Sequence, residues 1–134
     1  MPNDLPNLIW VDCEMTGLDI NNDALVEIAV LVTDAQLNVL GEGVDLVIKT
    51  SQEKLDGMND FVREMHTASG LLPEILNGVS LEDAQEQILA YLTKYAPGEG
   101  KSPLAGNSVY VDRLFIQRDL PKINAYLHYR TVDV

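Results

Sequence analysis

Eight residues, Leu8-Ile9-Trp10-Val11-Asp12-Cys13-Glu14-Met15, constrain this chain more than any other stretch. The run is short, mostly apolar and contains Ile and Val, and Thr16-Gly17 stops it, so it reads as a strand. Side chains alternate along a strand, which puts Asp12 and Glu14 on one face, about 7 Å apart. Two carboxylates on a buried face repel each other and lose hydration. Either the end of the strand is open to solvent, or something positive binds there. A divalent cation, Mg²⁺ or Mn²⁺, would remove both penalties, because hard oxygen ligands are what such ions prefer. Cys13 falls on the opposite face and reads as a small core residue.

Cys13 is the only cysteine, so no intrachain disulfide is possible and a reducing, cytoplasmic location is expected. A chain of 134 residues is the size of one domain. Residues 1–134 are accordingly read as a single domain, with a loose lead-in over 1–7 that carries Pro2 and Pro6. No apolar run is long enough to span a bilayer, and no cationic-plus-apolar leader opens the sequence, so no membrane association is expected. Twenty-one acids against nine bases give a formal charge of −12. That is the wrong sign for tracking a long nucleic-acid backbone by phosphate neutralisation. A very short oligonucleotide, gripped locally by metal ions and one or two basic residues, remains open.

The rest of the chain supplies the frame. Residues 16–23 are turn chemistry. Leu25 to Thr33 reads as a second strand, Asp34-Ala35-Gln36 as a hairpin turn, and Leu37 to Lys49 as a returning strand bent at Gly41 and Gly43. Short links between three consecutive strands predict an antiparallel meander. Helical patterning follows: Leu55 to His66, a short segment through Ile75, and a longer helix from Ser80, whose hydroxyl is placed to cap it. Its apolar face, Leu81, Ala84, Ile88, Leu92 and Tyr95, runs down to Pro97. Leu104-Ala105-Gly106 reads as a short buried strand. Asn107 or Ser108 is placed to cap a helix from about Val109 to Arg118. Leu120 to Leu127 is another helical piece, and Tyr129 to Val134 a last strand. Three meander strands followed by helices alternating with two more indicate an α/β domain with a mixed five-stranded sheet. That layout suits a ribonuclease-H-like architecture, an analogy of fold that carries no function alone.

A third acid joins the pair. Asp112 lies one turn into the helix after Ser108, sharing its face at i, i+4 spacing. It is read either as an ordinary surface acid paired with a nearby arginine or as a third metal ligand.

Four blocks together resemble a known family. They are Asp12-Cys13-Glu14-Met15-Thr16-Gly17-Leu18-Asp19, Met65-His66-Thr67-Ala68-Ser69-Gly70-Leu71, Pro103-Leu104-Ala105-Gly106-Asn107-Ser108 and His128-Tyr129-Arg130. In order and spread along the chain, they are similar to the oligoribonuclease family of DEDDh-class 3′-to-5′ exonucleases. The resemblance implies a ribonuclease-H-like exonuclease fold and cleavage of oligoribonucleotides of two to five residues to nucleoside monophosphates. It implies that Asp12, Glu14 and Asp112 hold two divalent ions about 4 Å apart, of which Asp12 bridges both. Leu18 would wedge against the terminal base, with Phe61 where the family usually carries a tryptophan. His66 would approach the substrate, and Ser108 and Arg130 would contact the 5′ phosphate, for which a guanidinium fork is suited. Tyr129 would join the catalytic site, acting across a homodimer interface.

The family pattern also requires a later His followed by an Asp, as general base and fourth carboxylate. Neither is found here, and the family's C-terminal helices are expected to be absent as well. The chain as it stands is therefore expected to be inactive, since a missing proton acceptor costs about 10²- to 10⁴-fold in rate. Two other readings compete. One is a non-catalytic module that binds short RNA or a protein. The other is an aspartyl phosphotransferase, whose Asp-x-Asp-x-Thr is superficially like Asp12-x-Glu14-x-Thr16.

Overall fold

The computed structural model describes residues 5–134. Five strands, β1 (Leu8–Met15), β2 (Leu25–Thr33), β3 (Val39–Val47), β4 (Leu104–Gly106) and β5 (Thr131–Asp133), form one mixed sheet. Their order is β3-β2-β1-β4-β5, with β1 antiparallel to β2, β2 antiparallel to β3, and β4 and β5 parallel to β1. This is the mixed sheet that the strand pattern predicts. Among the described residues there are also five helices, α1 (Gln52–Asp56), α2 (Asp60–Ala68), α3 (Leu81–Tyr95), α4 (Val109–Asp119) and α5 (Pro121–Tyr126), with a 3-10 turn at Leu72–Asn77. No helix among the described residues is long and apolar enough to cross a membrane.

Alternation along β1 does what the sequence implies. Ile9, Val11, Cys13 and Met15 enter the core, against Ile28, Val30 and Val32 of β2 and the inner faces of α3, α4 and α5. Each large aliphatic side chain buried there contributes about 2 kcal/mol. A second cluster, Val26, Leu55, Met58, Leu71 and Ile75, lies where α1 and the 3-10 turn meet the sheet. The strand's other side chains, Trp10, Asp12 and Glu14, point away from the main core.

The expected bend in β3 is a break in register between Val30 and Val32 of β2. Gly41 and Gly43 make it possible, with φ of 72° and 76°. Tyr91 of α3 repairs the interrupted ladder. Its hydroxyl accepts from the Val32 N–H at 2.9 Å and donates to the Leu40 carbonyl at 2.7 Å. A Cβ on Gly41 would stand 2.7 Å from the Tyr95 ring and 3.0 Å from that of Tyr91, so the helix can approach only a glycine here.

Several boundaries depart from expectation for local reasons. The helix expected over 55–66 is two helices, because the chain leaves α1 at Gly57 and Asn59 caps α2 by accepting from the Val62 N–H. The last strand is confined to Thr131–Asp133, since His128 Nδ1 takes the Arg130 N–H and ties that segment into a turn. Of the expected lead-in, residues 1–4 lie outside the described residues, whereas Asn7 is fastened by a 2.8 Å bond from its side chain to the Tyr95 carbonyl. Ser80 caps α3 as predicted, its oxygen accepting from Asp83 N–H.

Candidate active site

The site grows from the point where β4 parts from β1. The two strands pair only from Ile9 to Trp10. They approach so closely that a Cβ on Gly106 would stand 2.9 Å from the Val11 carbonyl oxygen. Beyond Gly106 the chain turns away into α4, which leaves the Cys13 N–H without a strand partner. Asp112, one turn into α4, fills that position with its carboxylate and accepts from Cys13. It is 8% exposed. The reading of Asp112 as a surface acid paired with an arginine does not hold. The adjacent Arg113 bonds Asn124 Oδ1 at 2.7 Å and the His128 carbonyl at 3.2 Å, and Arg118 pairs with Asp119.

Asp12 and Glu14 stand beside it on the open side of β1, and the three carboxyls act on one another. Burial pushes the Asp112 carboxyl up to about 7, aided by repulsion from Asp12 and, less, Glu14, against the bond from Cys13. Glu14 is likewise raised by burial and by Asp12, with His66 opposing. Burial and the same acids hold the Cys13 thiol well above its usual range, so it is inert core.

Two further acids are not singled out by the sequence pattern. Glu27 lies directly across from Glu14 in the β1–β2 register, and its carboxyl shares a hydrogen bond with Asp45 of β3. Burial first, then that bond and repulsion from Asp45, Glu14 and Asp12, bring Glu27 up to about 7. The signal that could have found it is the hairpin: pairing the first two strands antiparallel sets an acid in Leu25-Val26-Glu27 against the acidic end of β1. The result is an acidic field on the sheet. It borders a groove of about 430 Å³ on the sheet face away from the main core, lined by Trp10, Asp12, Ala29, Leu31, Gly43 and Asp45.

The donors fit a divalent metal in kind. Asp12, Glu14 and Asp112 are hard oxygen ligands with no lysine or arginine paired to them among the described residues. They are not closed around a point: among the described residues, no three His, Cys, Asp or Glu side chains form a ready ligand group.

On the other side of Glu14 lies a cleft of about 430 Å³, lined by Glu14, Gly17, Leu18, Phe61, Val62 and Met65. Leu18 and Phe61 are 74% and 76% exposed, the kind of apolar surface a base could cover. Leu18 rides on a fastened loop. Asp23 accepts from Thr16 Oγ1 and Asp19 N–H, and Arg118 donates to the Ile20 carbonyl at 2.6 Å. Phe61 and Met65 follow one another at i, i+4 on the outer face of α2.

The remaining expected residues are dispersed. Ser108 lies at the start of α4 near Asp112, held at φ 51°. Its N–H donates to Asp133 Oδ1, its hydroxyl bonds Asn107 Oδ1, and its side chain makes no cap bond. His66 must be moved from the substrate to the interior. Its ring is 1% exposed, with Nε2 2.8 Å from the Met15 carbonyl oxygen, so it does not line the cleft. Tyr129 and Arg130 sit at the far end of the sheet. Thr131 is level with Leu104 and hence Ile9, which leaves Arg130 about 13 Å short of Asp12 along the strands and two strands to the side. Within one chain the structure does not bring Tyr129 or Arg130 to the acids.

The chain is similar to known proteins. An exonuclease family model matches residues 9–134. The chain is 58% identical over 127 residues to an oligoribonuclease of Cutibacterium acnes and 56% identical to one of Streptomyces griseus, covering 95% of this chain in each case. It spans 63% of the length of each of these relatives. Among solved structures, Escherichia coli exonuclease I in complex with a dT13 oligonucleotide superposes with a TM-score of 0.66. The match covers 92% of this chain and 25% of that one, at 19% identity. A ligand-free exonuclease I gives 0.67 over 94% of this chain. At that identity the likeness shows the fold alone, a ribonuclease-H-like α/β exonuclease fold.

Proposed function

The chain belongs to the exonuclease family, and from that premise we propose that it is the acid-bearing part of a 3′-to-5′ exoribonuclease acting on very short oligoribonucleotides. The observation that carries the reading is the adjacency of two unlike features along β1. Three mutually repelling carboxyls, Asp12, Glu14 and Asp112, lie beside an apolar cleft formed by Leu18 and Phe61. Likeness to curated oligoribonucleases supplies the substrate class.

Each residue has a task that follows from its place. Leu18 and Phe61 receive the terminal base, and stacking on the Phe61 ring contributes about 1 kcal/mol or more. Glu14 bounds both the cleft and the acid group, so the phosphodiester on the 5′ side of that terminal nucleotide is delivered to the carboxylates. Asp12, Glu14 and Asp112 would hold divalent ions, Mg²⁺ or Mn²⁺, in a two-ion arrangement. Such ions supply Lewis-acid stabilisation of the phosphoryl oxygens and activation of water. Ser108, at the start of α4, would contact the 5′ phosphate. Arg130 would contact the 5′ phosphate with its guanidinium fork, and Tyr129, distant within the chain, would reach a site from a second subunit in a homodimer. A net charge of −12 disfavours tracking long nucleic acid, and the substrate proposed is short single-stranded RNA, dinucleotides above all. A cytoplasmic location is proposed with it, and the single, buried Cys13 is compatible with a reducing compartment.

A second reading, a module that binds short RNA without turnover, is favoured by the histidines. His66 is buried against Met15, and His128 lies near Arg130 with Nδ1 already bonded. Neither is placed as a proton acceptor for water at the acids. One experiment separates the readings. The protein is incubated with a 5′-labelled dinucleotide and Mn²⁺ or Mg²⁺, beside Asp12→Ala. Metal-dependent release of mononucleotide that Asp12→Ala abolishes supports the exonuclease. Tight binding with no release selects the module, and neither binding nor release refutes both.

A further inference from the structure

His66 has no place in the chemistry above, yet it is a buried polar side chain with a defined partner. The Met15 carbonyl can only accept a hydrogen bond, so the Nε2 atom 2.8 Å away must carry the proton. The bond joins two elements that otherwise meet sparingly. Among the described residues α2 packs broadly only against the 3-10 turn, and its Val62 leans on the second apolar cluster. β1 belongs to the main core. The two sides of the cleft are thus carried by different bodies: Phe61 and Met65 by α2, Glu14 and Leu18 by β1 and the loop after it. His66 follows Met65 and bonds the residue after Glu14. It is the hydrogen bond that spans the floor of the cleft.

We propose that His66 is a positioning residue which, through the Nε2–H bond to Met15, sets the gap between the Phe61 and Leu18 walls and so the register of a terminal base relative to Glu14. The role rests on the exonuclease reading for its ligand, though the bond itself does not. Loss of the bond leaves α2 with a side-chain hydrogen bond only toward α1, from Arg63 to the Leu55 carbonyl at 2.8 Å, and facing β1 through apolar contacts, which are non-directional and fix a distance poorly. Met65 and Phe61 would then drift together, since they share one helical face. Glutamine can present an amide N–H at the reach of Nε2, whereas asparagine is one methylene short and leucine has no donor.

The test compares the protein with His66→Gln, His66→Asn and His66→Leu. The probe is a 5′-phosphorylated dinucleotide ending in 2-aminopurine, in Ca²⁺ or EDTA, and its fluorescence reports stacking of the terminal base. Long-range ¹H–¹⁵N spectra of the unsubstituted protein report the tautomer. The expected result is an Nε2–H tautomer and quenching of the probe on binding. His66→Leu and His66→Asn should lose the quench and bind roughly tenfold more weakly, the equivalent of one net hydrogen bond. His66→Gln should recover both to within about threefold. If His66→Leu does not fold, the Gln and Asn pair carries the comparison. An Nδ1–H tautomer, or asparagine serving as well as glutamine, overturns the proposal. Absence of any quench in the unsubstituted protein removes the substrate reading and the role together. A quench that survives in every variant overturns the role alone.

Discussion

Replacing Asp112 with asparagine separates the cost of this carboxylate from its use. Its pKa is pushed up to about 7 by burial and by Asp12 and Glu14. An unfolded aspartate titrates near 3.9. Between these values the folded protein holds a proton that the unfolded chain has lost, so stability falls as pH rises through the window. The contribution is complete below about pH 4 and gone above about pH 7. Three units of difference correspond to about 4 kcal/mol as an upper limit. The adjoining acid group is open to water, and screening cuts this to about 1–2 kcal/mol. An asparagine in its place would keep an oxygen for the Cys13 N–H and never ionise. Asp112→Asn should therefore match the parent protein in melting near pH 4.5 and exceed it at pH 8 by about 1–2 kcal/mol, roughly 3–8 °C. Manganese closes most or all of that gap. At 100 times its dissociation constant, an ion bound only by the folded state adds about 2.7 kcal/mol. The parent should gain most of that at pH 8, and Asp112→Asn less than half. Denaturant and thermal melts at both pH values, with and without Mn²⁺, measure every term. Equal destabilisation of Asp112→Asn at both pH values, or an unchanged response to Mn²⁺, would falsify the account of three acids facing one another.

Two other outcomes are expected. Phe61→Trp enlarges the exposed ring beside Leu18, and titration with a dinucleotide should show affinity rising severalfold, because base stacking grows with the aromatic face. Unchanged affinity would remove Phe61 from the base contact. Glu27→Gln replaces a carboxyl raised to about 7 next to Asp45 with a neutral donor. Its folded pKa lies above the unfolded value, so the parent loses stability as pH climbs from about 4 to 7. The substitution should recover a few tenths of a kcal/mol at pH 8, a small figure because the pair is well solvated, and nothing near pH 4.5. A variant that melts lower than the parent at pH 8 would show that Glu27 is held for its bond to Asp45.

Much of the fold and part of the site are legible in the residues themselves, and the reasons are local. β1 can be read because apolar residues alternate with two acids and a Thr-Gly stop. Gly41 and Gly43 announce the bend in β3 through the backbone they permit. What the sequence hides are relations across space. Glu27 sits in an ordinary apolar strand and becomes one of the acid group only through its register against Glu14. His66 lies in a motif that resembles substrate-binding sequence, yet helical phase decides its direction. Phe61 and Met65 face out, and Val62 and His66, one residue further on, face in. The split between α1 and α2 turns on Gly57 and Asn59, whose capping strength outweighs a continuous apolar pattern.

The position of the acids follows from topology as much as from residue type. β1 has an antiparallel neighbour along its whole length on one side and a parallel neighbour for only two residues on the other. A strand in that setting exposes unpaired backbone at its carboxyl end, and in open α/β sheets this is where ligands gather. Here the gap is filled by Asp112, an acid drawn in by the Cys13 N–H and placed within range of two others. Gly106 permits the close approach, and the turn after it opens the gap. A side chain at position 106 would push β4 from β1, and the acid group would be lost through the backbone with every carboxylate still present.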